Sequence, residues 1–162
     1  MRIGVISDTH GLLRPEAIQA LAGVDHILHA GDVGAWEILE RLQELAPVTA
    51  IRGNIDTRGP CAKLPATEAV ELGGKLFYLV HSVRDLDLNP EVAGVAVVVS
   101  GHSHWPGMET RGSVLYLNPG SAGGRRFQLP VTLAHVEIED GAVRAAILPL
   151  LPESTGSLPT GT

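Results

Sequence analysis

The sequence predicts a mixed α/β protein in which two β-sheets pack face to face, with helices on the outside. Three observations predict it. In the first half, strand-like and helix-like runs alternate, the order of parallel strands joined by crossover helices. In the second half, short strands flank Gly73-Gly74 and Asp140-Gly141, the signatures of tight hairpins. Strands outnumber helices, and a two-sheet sandwich gives such strands apolar cover.

Arg2 to Ser7 is an apolar run of strand length. Pro15 to Ala22 has helical spacing, with Pro15 suited to a first turn. His26 to Ala30 is a second strand, closing on Gly31-Asp32. Ala35 to Leu45 reads as a helix with Trp36, Leu39, Leu42 and Leu45 on one face, and Pro47 ends it. Val48 to Arg52 is a third strand, followed by Gly53-Asn54. Arg58 to Pro65 is a loop; Thr67 to Leu72 and Lys75 to His81 form a hairpin. Asp85 to Gly94 is a connector with one helical turn after Pro90. Val95 to Ser100, the most continuous β-branched run, reads as a fully buried central strand. Ser113 to Asn118 is a further strand, and Val131 to Ile138 pairs with Ala142 to Leu148 in a terminal hairpin. Residues 1–151 form a single domain; 152–162, rich in Pro, Gly, Ser and Thr, read as a mobile tail.

At 162 residues the chain has room for one domain with a sizeable core. Apolar residues make up 44% and charged residues 19%, a globular rather than a disordered composition. No apolar run reaches the ~20 residues of a membrane helix. The apolar start stops at Asp8, too soon for a signal peptide. The lone Cys61 excludes an internal disulfide, fits a reducing, cytoplasmic setting, and reads as a packing residue. Net charge is −6 with no basic stripe, which argues against a stable nucleic-acid partner. Bound divalent cations reverse the field locally, so a small phosphate substrate stays compatible with an acidic chain.

Seven polar residues close apolar runs: Asp8, His10, Asp32, Asn54, His81, His102 and His104. They stand in Asp8-Thr9-His10, Gly31-Asp32, Gly53-Asn54 and Gly101-His102-Ser103-His104. In an α/β sheet, ligands bind at the carboxyl ends of the strands. Residues two apart on an extended chain point the same way, so both members of each pair reach one cavity. Oxygen and imidazole donors without thiolate suit Mn²⁺, Fe²⁺, Zn²⁺ or similar ions. Seven donors exceed one four-coordinate ion and read as a site for two metals sharing a carboxylate, a site that hydrolyses phosphate esters. Gly31, Gly53 and Gly101 let the backbone turn sharply beside the donors.

This ordered series resembles the calcineurin-like metallophosphoesterase superfamily, above all its small single-domain bacterial and archaeal phosphodiesterases. It is also similar to the retromer scaffold subunit of the same fold. The loop Asn118-Pro119-Gly120-Ser121 is typical of that small branch. The resemblance covers about residues 1–148 and implies a four-layer sandwich flanked by helices. It implies that Asp8, His10 and His104 hold one metal, Asn54, His81 and His102 the other, and that Asp32 bridges them. Mn²⁺ is the first expectation, with Fe, Zn²⁺ or Ni²⁺ as substitutes. It implies a phosphodiesterase in which a metal-bridging hydroxide attacks a small or nucleotide-like diester, and a dimeric or tetrameric assembly. The alternatives are a phosphomonoesterase and a non-catalytic scaffold of the same fold.

Asp32, Asn54 and His10 are the expected catalytic residues, with Asn54 donating to phosphate and His10 supplying a proton. Asp56 is expected to orient a ligand, Asn118 to pin backbone near the site, and Arg125, beside Arg126, to steer phosphate against the plainer reading of a solvated basic pair. His29 is either a hydrogen-bond partner of a ligand or a satisfied core histidine. His26 and His135 read as structural or exposed, and Trp105 as lining the cleft or packing beside it. The sequence departs from larger relatives at Ile55, where they carry histidine, and from many members at Ser82-Val83, where they carry Gly-His.

Overall fold

Apolar faces on both sides of two sheets decide the architecture. The computed structural model describes residues 1–152. β1 (Arg2–Ile6), β2 (His26–His29) and β3 (Val48–Ala50) run parallel, linked by α1 (Pro15–Leu21) and α2 (Trp36–Gln43). β4 (Thr67–Leu72) and β5 (Lys75–Val80) form a hairpin, and β6 (Val95–Val99) lies parallel to β5. β7 (Gly107–Arg111) and β8 (Val114–Asn118) form the next hairpin, with β8 parallel to β6. β9 (Thr132–Glu139) and β10 (Ala142–Pro149) close the described chain. The first sheet has the order β10-β9-β1-β2-β3 and the second β4-β5-β6-β8-β7.

The main core lies between the sheets, where Ile3, Val5 and Leu28 meet Phe77, Val97 and Leu117. A second core packs Ala17, Leu21, Leu39 and Leu42 from the helices against Ile6 and Ile27 on the outer face of the first sheet. The outer face of the second sheet is covered by the connector, with Leu86 and Leu88 against Tyr78, Val80 and Val98. That connector begins with a single 3-10 turn, Val83–Asp85, so the fourth layer holds no long helix.

The predicted elements are present, β3 stopping at Ala50 rather than Arg52, with three further differences. Edge strand β7 falls where the sequence reading places no element, because Met108 to Arg111 are all exposed and carry no apolar alternation. Its pairing comes from the backbone of β8. Residues Pro60–Lys63 form a 3-10 turn inside the expected loop. α2 stops at Gln43, and its buried face is Ile38, Leu39 and Leu42; Trp36 and Leu45, at and beyond its ends, are half-buried. Among the described residues no helix is long and apolar enough to cross a membrane. Of the expected tail, residues 153–162 lie outside the described part.

Candidate metal centre

The strands end just short of the polar series, so each donor hangs on the loop that follows. β1 stops at Ile6 and delivers Asp8 and His10; β2 stops at His29 and delivers Asp32. These loops are zipped together beyond the sheet: the N–H groups of Asp8, His10 and Gly11 donate to the carbonyls of Gly31, Asp32 and Val33 at 3.0, 3.0 and 2.8 Å. β3, β5 and β6 deliver Asn54, His81 and the His102–His104 pair. Both sheets thus empty their carboxyl ends into one place.

Five of the seven donors are left-handed: Asp8, His10, Asp32, His102 and His104 have φ of 54, 46, 53, 68 and 60°. This conformation costs a non-glycine residue about 1–2 kcal/mol, and strained backbone of this kind clusters at functional sites. The flanking glycines act differently from one another. Gly31, at φ +97°, makes the turn that the sequence implies. Gly53 and Gly101 are not left-handed; they serve by lacking a side chain, since a Cβ on either would collide with the carboxylate of Asp32 or Asp8.

The donor atoms converge. His10 Nε2 and His104 Nε2 are 3.2 Å apart, and Asp8 Oδ1 lies 3.2 Å from His104 Nε2 and 3.7 Å from His10 Nε2. Asp32 Oδ2 stands between His10 Nε2 at 3.5 Å and His81 Nε2 at 3.3 Å. Asn54 Oδ1 faces His81 Nε2 at 3.1 Å and His102 Nδ1 at 3.0 Å. Two sets satisfy metal-binding geometry: Asp8, His10 and His104, and Asp8, Asp32 and His81. Asp8 belongs to both, so in the structure it too reaches toward each half of the site.

A test of fit comes from Asp8. Its Oδ2 accepts from Ser7 Oγ at 2.7 Å and His102 N at 3.1 Å, but its fully buried Oδ1 has no hydrogen-bond partner among the described residues. Leaving a buried charged acceptor unpaired is expensive, and a cation is its natural partner. His81 donates Nδ1–H to Ala30 O at 2.7 Å, which turns a basic Nε2 lone pair into the cluster, the usual posture of a ligating histidine. The donors therefore fit divalent ions. His104 Nδ1 is buried without a partner among the described residues, which nothing in the structure explains.

Burial disfavours the Asp32 carboxylate, yet the His81 ring and the Ile55 N–H hydrogen-bond to it and hold its pKa below the usual value. Burial likewise opposes charge on His81, but Asp32 and the Ala30 carbonyl outweigh it and raise that histidine. His104 is lowered, first by burial and further by Arg126 and His10. A divalent ion held here would compete with a proton for His81 Nε2.

The outer residues hold loops in place. Asp56 is buried and accepts three backbone N–H groups, from Val33 at 3.0 Å, Gly34 at 3.0 Å and Gly53 at 2.9 Å. It clamps the loops that carry Asp32 and Asn54 rather than a ligand side chain. Asn118 Nδ2 donates to Gly101 O at 2.9 Å and Ser103 Oγ at 3.0 Å, tying down the loop of His102 and His104. His29 is a satisfied core residue: Nε2–H meets Thr9 Oγ1 at 3.0 Å, and Nδ1 accepts from Gly31 N at 3.2 Å. Arg125 points elsewhere, its guanidinium donating to Pro152 O at 3.4 Å; Arg126 is the arginine whose charge acts on His104. His26 meets Thr49 and His135 meets Ala20 O, both away from the cluster. Trp105 is largely exposed, and Cys61 is buried in the helix-side core.

The sequence motifs assign no separate role to Ser7, Thr9 or Ser121. Ser7 holds Asp8 Oδ2, Thr9 bridges His29 to Val33 O, and Ser121 Oγ donates to Asp8 O at 2.9 Å. Their only sequence signal is adjacency to the motifs, because hydroxyl roles depend on contacts made across the fold.

The model of the calcineurin-like phosphoesterase superfamily domain matches residues 1–141. The chain belongs to that superfamily. It is 36% identical over 163 residues to a probable metallophosphoesterase of Methanocaldococcus jannaschii, across 93% of this chain and 82% of the relative. A solved archaeal phosphodiesterase aligns at TM-score 0.74 and 26% identity, over 91% of this chain and 100% of the other. Vps29 of Chaetomium thermophilum shares the fold at TM-score 0.73 and 17% identity, over 91% and 96% of the two chains. Metal dependence in this calcineurin-like domain thus rests on family membership together with the converging donors.

Proposed function

We propose that the chain is a phosphodiesterase using two divalent ions, with Asp8, His10 and His104 around one, Asn54, His81 and His102 around the other, and Asp32 between them. The observation that supports this most is the buried, unpartnered Asp8 Oδ1 facing imidazole nitrogens beside Asp32. When bound, such ions polarise phosphate oxygens and lower the pKa of water.

The chain's own groups do the rest. Asp8 and Asp32 supply negative charge that balances the cations, and the glycines beside them keep both carboxylates in place. Asn54 Oδ1 is turned to His81 and His102, which leaves its exposed Nδ2 hydrogens to donate to a phosphate oxygen. Asn54 and His102 are exposed while Asp8 and Asp32 are buried, so substrate enters from the Asn54 side. His10 Nε2 is turned inward to His104 and Asp32, a posture that favours holding metal over protonating a leaving group. With Ile55 where larger relatives have histidine, no imidazole follows Asn54, which favours diesters with good leaving groups. We infer Mn²⁺ as the first ion to supply, and a reducing, cytoplasmic setting from the single buried Cys61.

The test is a screen of phosphate mono- and diesters, including bis(p-nitrophenyl) phosphate, with Mn²⁺, Fe²⁺, Zn²⁺ and Ni²⁺, alongside metal analysis. Diester turnover that needs added metal supports the reading. A folded protein that binds two ions but cleaves no ester would instead be a scaffold.

A further inference from the structure

A trough on the outer face of the second sheet begins at His102 and runs toward the edge strand β7. Its first cavity, about 270 Å³, is lined by Ser82, Val83, Arg84, His102, Ser103 and Asn118. A second, about 320 Å³, shares Val83, Ser100 and Asn118 with the first and continues past Glu109, Arg111 and Tyr116. The first is just below, and the second at the lower end of, the ordinary range of ligand sites; the two are continuous.

The two ends differ chemically. Arg84 is exposed and takes part in none of the ion pairs among the described residues. The acids nearest in sequence are Asp85 and Asp87, and Asp87 accepts from Tyr78 Oη at 3.2 Å. Arg84 is thus a cation at the wall that also carries His102. At the far end the Arg111 guanidinium lies 4.6 Å from the Tyr116 ring centre and is fixed by Glu109 at 2.9 Å. A guanidinium seated over a ring offers its other side to a planar group. Exposed Val83 flanks that platform with apolar surface.

We propose that this trough binds the part of the substrate beyond the scissile phosphate and that this part is a nucleotide: a phosphate at Arg84 and a base over Arg111 and Val83. The substrate class is then an ester of a nucleoside diphosphate, its outer phosphorus at the donor cluster. The assignment of the outer phosphorus rests on the phosphodiesterase reading; the nucleotide subsite does not. Ser82-Val83, the departure from the family's Gly-His, forms part of this wall.

The test is binding of AMP and of adenosine to the full chain in excess EDTA, followed by titration calorimetry and by amide chemical shifts. AMP binds about tenfold tighter than adenosine, the effect of one charge-assisted contact. R84A removes that advantage without altering adenosine affinity, and R111A weakens both ligands at least threefold. Shifts on AMP addition map to residues 82–84, 102–103 and 108–116. No AMP binding, or AMP affinity equal in R84A, R111A and the native chain, would overturn the proposal. Both side chains are exposed, so the variants fold, and circular dichroism checks it. Because no turnover is measured, failure here leaves the phosphodiesterase reading standing, and absence of diester turnover leaves the nucleotide subsite standing.

Discussion

Gly53 packs directly against Asp32: a Cβ on Gly53 would strike the Asp32 carboxylate and the Asp32 backbone nitrogen. The obstacle includes backbone, so it cannot swing aside. Gly53→Ala should therefore displace Asp32 and destabilise the fold by about 1–3 kcal/mol, as overpacking does. Urea unfolding measures the loss, and calorimetric titration with Mn²⁺ should show weakened binding of both ions.

Asp32 Oδ2 faces His10 on one side and His81 on the other. Asp32→Asn keeps the size and the acceptor from Ile55 N but removes the charge. Since groups outside the ligand set typically cost 10–100-fold when mutated, a bridging ligand should cost at least about 100-fold in diester turnover. Metal content should fall below two ions per chain. Retained turnover and full metal content would remove Asp32 from the bridge.

Asp56 gathers three backbone N–H groups from two loops. Asp56→Asn leaves one acceptor oxygen and turns an NH₂ group on the remaining donors. Hydrogen bonds to a charged group contribute about 1.5–3 kcal/mol, so the variant should lose about 3 kcal/mol of stability. Hydrogen exchange should quicken first at Val33, Gly34 and Gly53.

Burial drives the His29 pKa down to about 4, while an unfolded chain titrates near 6.5. Between these values the unfolded state binds more protons, so stability falls as pH drops from about 6.5 to 4. The full effect is about 3 kcal/mol. In EDTA, His29→Gln keeps a donor for Thr9 yet does not titrate, and its unfolding free energy should slope less over that window. Equal slopes would show that His29 is protonated in the native state.

Asp8 Oδ1 has no hydrogen-bond partner, and five donors hold left-handed backbone. Ions that bind only the folded chain stabilise it by about 2.7 kcal/mol at a hundredfold excess over Kd. Mn²⁺ added to chelated protein should raise Tm by roughly 5–10 °C. Ca²⁺, which prefers an all-oxygen shell, should raise it less.

The fold and the donor series were legible in sequence because both obey short-range rules. Apolar runs of strand length end at Asp8, Asp32, Asn54 and His102 whatever the rest of the chain does. Strand β7 was not legible: an exposed edge strand is held by the backbone of its neighbour, and Met108 to Arg111 carry no pattern to announce that.

The primary structure by itself determined which side chains gather at one edge, since parallel strands with crossover links put all their carboxyl ends on the same side. Only the folded chain decided what each of them does there. Whether Asp56 clamps loops, Arg125 turns away, Gly53 yields room or Asp8 is left with a bare oxygen depends on contacts between residues far apart in sequence, up to 94 positions for Asp8 and His102. Such contacts are set by how two sheets pack, and packing geometry has no local signature.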